Sequence, residues 1–163
     1  MPTAHERVRR TESGRIGVTL PVHERRIIDA MLGELRSLEG SSDPVAARLT
    51  PPAFPDDPEA EADYRSLVGQ ELAEGRRARI ATVLATMDVD DLDDAQAAAW
   101  MGALNDVRLV LGTELDAGEG TDDLEIDPDD PQAGRRLVYL YLGWLLEGFV
   151  AVLTEALPEP PAS

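Results

Sequence analysis

The stretch 137–153 is apolar almost all the way round, with Glu147 as its chief interruption. A helix made from it offers no face to water. It must be central in a bundle, part of an oligomer interface, or in a membrane. About seventeen residues is the lower limit for a span, and Glu147 would then sit inside the bilayer. Three amphipathic helical stretches elsewhere in the chain need an apolar partner. The pattern therefore predicts a helix from Pro131 to about Leu157 at the centre of a compact bundle.

The other helices follow from spacing and punctuation. Pro21 opens a first helix to about Glu39, carrying Ile27, Ile28, Met31, Leu32, Leu35 and Leu38, and Gly40-Ser41-Ser42 ends it. Pro44, Pro51, Pro52 and Pro55 forbid a helix over 40–57, where Phe54 is expected to plug into the core. A long second helix starts near Pro58, at a residue type suited to a first turn. Asp56, Asp57, Glu59, Glu61 and Asp63 complement its dipole, and Gly75 is a candidate kink. Asp93 and Gln96 make a capping-box signature for a third helix over 94–113.

The expected fold class is all-α: about four main helices in one domain over 14–157. Residues 1–13 read as a flexible arm, 114–130 as a solvated acidic loop, and 158–163 as a disordered tail. Residues 15–20 alternate as a short strand would. A lone strand has no partner without dimerisation, so an extended arm is the equal alternative.

The third helix holds the most specific motif. Trp100, Leu104, Val107 and Leu111 form one apolar stripe at 3.6 residues per turn, with Asn105 and Arg108 on its flank. Beside Asp106, these polar groups are expected to specify structure, since no nucleophile or base accompanies them. Arg108 is expected to bridge to Glu147 or Glu61. Leu109 lies opposite the stripe and, with Gly102 and Val110, implies a second contact. A neighbouring helix and a homodimer partner stand as equal alternatives. Arg76, Arg77 and Arg79 could form an interaction surface, but Glu71 and Glu74 suit them as a self-neutralised exposed face.

The formal charge of −17 opposes direct DNA binding and favours partners with basic surfaces. No cysteine is present, which excludes thiol redox chemistry and zinc–thiolate sites. His5 and His23 lack the company of a metal site or an acid–base dyad. No cofactor and no metal are expected. The first twenty residues lack an apolar signal core, so a cytoplasmic protein is expected, with no membrane association.

Four blocks carry a family resemblance: Arg48–Glu61, Arg76–Leu84, Trp100–Gly112 and Tyr139–Glu147, the last including Tyr141 and Trp144. Through them the chain resembles an actinobacterial domain-of-unknown-function family that includes the oxidative-stress transcriptional regulator AosR. The resemblance implies a helical protein without enzymatic activity, linked to redox-responsive transcription, including cysteine-synthesis genes. Contact with an alternative sigma factor, and so with RNA polymerase, is the implied route. Members are often encoded beside the Clp adaptor ClpS, so an adaptor in Clp-dependent proteolysis is the second expectation. A carboxylate-based enzyme using Arg108 in a helix-lined pocket is the third. Without cysteine, any redox sensing would lie outside this chain.

Overall fold

The computed structural model describes residues 2–117 and 126–155. The acidic loop therefore falls partly, and the expected tail wholly, outside the described residues. Helices α1 (Ala4–Arg7), α2 (Val22–Ser37), α3 (Pro58–Ala85), α4 (Asp94–Glu114) and α5 (Ala133–Glu155) dominate, with a 3-10 turn at Ala46–Leu49. Strands β1 (Val8–Arg10), β2 (Ile16–Val18) and β3 (Asp91–Leu92) form one antiparallel sheet in the order β1-β2-β3. The fold is mostly helical, not purely α.

The sheet corrects two expectations. Residues 15–20 need no second chain, because β2 lies between β1 and β3, with Val8 opposite Val18 and Ile16 opposite Leu92. The N-terminal arm is no arm: Val8 is fully buried, and Ala4–Arg7 packs on α5. Gly14, at φ +79°, makes the turn between β1 and β2. The Gly14 amide donates to the Thr11 carbonyl, and the Arg15 amide to the Thr11 hydroxyl.

Local chemistry sets the helix starts. Asp57 caps α3, its carboxylate accepting from the Ala60 amide at 3.0 Å. Asp93 and Gln96 form the reciprocal box that opens α4, each side chain accepting from the other's backbone amide. Helix α3 runs unbroken through Gly75. Phe54 does not plug the core. It is 47% exposed and meets Tyr64 edge to face at 6.0 Å.

The centre of the bundle is α4, not α5. Helix α4 touches α2, α3, α5, β3 and the 3-10 turn, and it buries Ala97, Trp100, Ala103, Leu104, Val107, Val110 and Leu111. The Trp100 and Phe149 rings stack at 5.9 Å and tie α4 to α5. Helix α5 buries only the stripe Leu142, Leu145, Gly148, Phe149 and Val152. Its most apolar stretch has a mean hydropathy of 1.8, yet only 28% of that stretch is buried. By length and composition alone α5 could cross a membrane.

Candidate docking surface and the polar ties beneath it

Most polar side chains that the sequence singles out prove to be structural ties. Asp106, 14% exposed at its side chain, accepts from the Arg79 guanidinium at 2.8 Å and lies 3.9 Å from Arg76 Nε. Arg76 itself is buried, and its Nη2 donates to the Leu49 carbonyl at 3.0 Å, fixing the 3-10 turn to α3. Arg77 pairs with Glu39 at 2.8 Å, which ties the end of α2 to α3 and raises the guanidinium pKa. The expected self-neutralised exposed face is thus corrected. The three arginines reach across to other elements, and Arg76 offers no surface. Close approach explains Gly102: a Cβ there would lie 2.6 Å from Arg79 Cδ.

Arg108 finds neither expected partner. Glu61 accepts from the Phe54 amide and from Arg65, and that backbone bond chiefly lowers its pKa. The Arg108 guanidinium instead lies over the Tyr139 ring, 4.3 Å from its centroid, a cation–π contact. Its Nε would meet a Cβ on Gly143 at 3.0 Å, so glycine lets the arginine lie across α5. Asn105 is exposed, bridging nothing in the core.

Two ties escaped the sequence reading. Glu24 on α2 is buried and accepts from Arg7 Nη2 at 3.0 Å and from the Tyr141 hydroxyl at 2.7 Å. Burial, then this hydrogen bond to a carboxylate, pushes the Tyr141 phenol upward from its ordinary pKa. The Trp100 indole N–H donates to the Thr86 hydroxyl at 2.8 Å, and that hydroxyl donates to the Thr82 carbonyl at 2.7 Å. An acid near a helix start and a threonine near a helix end are ordinary local features, so neither residue signals its distant partner. Among the described residues, no three His, Asp or Glu side chains gather as a metal would require.

What remains is a surface. The outward side of α5 carries Leu140, Gly143, Trp144, Glu147, Val150 and Ala151 at helical spacing. With Arg108 and Leu146 they line a shallow cavity of about 660 Å³. Val150 is 50% exposed on this helix and Leu137 57%, while Leu109 on α4 is 46% exposed. Trp144 leans on Tyr141 at 5.9 Å, joining this face to the Glu24 tie.

Fold and surface together define a helix-rich domain with a small sheet packed against α5 and one apolar helix face left open. The chain belongs to the family described as Domain of unknown function (DUF2017), whose model matches residues 5–153. No curated protein and no solved structure matches it.

Proposed function

We propose that this protein is a non-enzymatic, cytoplasmic regulatory protein that works by docking a protein partner on the outward face of α5. The observation that carries this reading is the open apolar seam from Leu140 to Ala151 on a chain of net charge −17. Solvent-facing helix positions are ordinarily charged or polar, and an apolar run there marks a contact surface. The resemblance set out above supplies the partner class, a sigma factor or RNA polymerase in oxidative-stress transcription. Redox sensing then belongs to another component, since the chain has no cysteine. A bilayer is the poorer occupant, because Leu142, Leu145, Phe149 and Val152 are already buried in the protein core.

Affinity capture from the native cytoplasm tests this, comparing the wild type with Leu109→Glu and Val150→Glu. Recovery of sigma factor or polymerase by the wild type, and its loss with Val150→Glu, supports the reading. Recovery of Clp components in their place supports the adaptor role. Capture that neither substitution alters refutes the surface.

A further inference from the structure

We infer that the occupant of the α5 face is an amphipathic helix with basic flanks, carried by another protein. This inference rests on the docking reading above and names the partner's chemistry. Leu140, Glu147, Val150 and Thr154 lie along one side of α5, and Arg108 crosses that side at Gly143. Ala151 keeps that seam shallow, and the half-buried Trp144 forms a wall beside it. A helix fits such a seam better than a strand or an extended peptide, whose side chains repeat every two residues.

Charge selects the partner. Glu147 is exposed in the middle of the seam and takes part in no ion pair or hydrogen bond among the described residues. Asp116, Asp127 and Asp129 are exposed at the described ends of the α4–α5 connection. Most of the fifteen arginines are already held by the chain's own carboxylates, which leaves the surface field strongly negative. Arg108, at the Gly143 end of the cavity, is engaged with the Tyr139 ring. A second copy of this chain would fill the seam with another Glu147 and bring together two bodies of charge −17. Arginines or lysines flanking an apolar stripe answer both the seam and the field.

The test uses the full chain and two synthetic amphipathic helical peptides that share one leucine–alanine face. One carries arginine flanks and the other glutamate flanks, and binding is read by fluorescence anisotropy. The arginine peptide should bind at least about tenfold more tightly, a gap that closes as salt is raised. Val150→Glu should weaken it by about tenfold or more, and Glu147→Arg should also weaken it. Val22→Glu, at an exposed apolar residue on α2 that does not line the cavity, should leave it unchanged. Equal binding of both peptides that Val150→Glu abolishes would overturn the basic partner while leaving the docking face intact. Loss of binding with Val22→Glu and not with Val150→Glu would overturn both. A dimer by light scattering, or adsorption to phosphatidylcholine vesicles, either one abolished by Val150→Glu, would overturn the inference in favour of a second copy or a bilayer.

Discussion

Replacing Thr86 with valine isolates one buried hydrogen bond at the heart of the fold. Valine keeps the shape of the side chain and removes the acceptor for the Trp100 indole N–H, which reaches Thr86 Oγ1 at 2.8 Å. Both residues are buried, at 8% and 1% exposure, so the N–H would lose its partner where solvent is scarce. The Thr82 carbonyl, which also accepts from the Thr86 amide at 3.0 Å, stays satisfied. A stranded buried donor costs about 1–3 kcal/mol. A small cavity of about 130 Å³ touches both Thr86 and Trp100 and gives water a route to the indole. We therefore expect the lower part of that range, about 1–2 kcal/mol, or about 2–4 °C of melting temperature per kcal/mol for a chain of this size. Urea unfolding followed by tryptophan fluorescence and far-ultraviolet dichroism measures the loss. The control is the same substitution in a Trp100→Phe background, where no donor exists and the cost should fall below about 0.5 kcal/mol. An equal cost in both backgrounds would refute the hydrogen bond as its source.

Other perturbations bear on the remaining ties. Asp106→Asn should destabilise by about 1–2 kcal/mol, since it weakens a charge-assisted bond whose arginine is 35% exposed, whereas Glu71→Gln should stay within about 0.5 kcal/mol. Chemical denaturation distinguishes these, and equal effects would restore the self-neutralised helix face. Gly148→Ala sets a Cβ 3.0 Å from the Ala4 carbonyl oxygen and 3.3 Å from Val8 Cβ. Overpacking of about 1–3 kcal/mol should outweigh the helix-propensity gain, and hydrogen exchange at Val8–Arg10 should speed up. Tyr141 has its pKa raised in the folded state, so the unfolded chain loses that proton first as pH climbs. Its contribution to stability is complete below about pH 10 and is lost as pH rises beyond it. Ultraviolet titration of the native protein should show one late-ionising phenol, absent in Tyr141→Phe.

How far the sequence disclosed this structure depends on the length of the pattern carrying each piece. Helices α2 to α5 repeat their apolar positions over several turns, and caps such as Asp93 with Gln96 act within four residues. Both are local and therefore visible. The sheet is not: β1 offers a single core side chain, Val8, and β3 is only Asp91-Leu92. No periodicity can show in two or three residues, and the pairing is decided by tertiary contacts across the chain. Arg76, Arg77 and Arg79 misled for a related reason. Glu71 and Glu74 lie at the right spacing along the helix, while Asp106 and Glu39 win because packing brings them nearer. The Arg7–Glu24–Tyr141 cluster joins three unremarkable residues that only the fold brings together.

The exchange of roles between α4 and α5 shows where hydrophobicity ceases to mean centrality. Helix α4 is central because small residues open it on two sides. Ala97 and Ala103 are buried in its packed faces, and Gly102 lets Arg79 cross it. Its neighbours pack closely on both flanks, so moderate hydrophobicity fills the core. Helix α5 has more apolar surface than its contacts with α4, α1 and β1 require, and the fold uses one stripe of it. Folding stability explains Leu142, Leu145, Phe149 and Val152. It leaves Leu140 and Val150 unexplained, since polar residues at those positions would serve the fold as well and solubility better. The apolar surplus of α5 is therefore the part of the sequence for which we propose a partner outside the chain, and the docking experiments belong there.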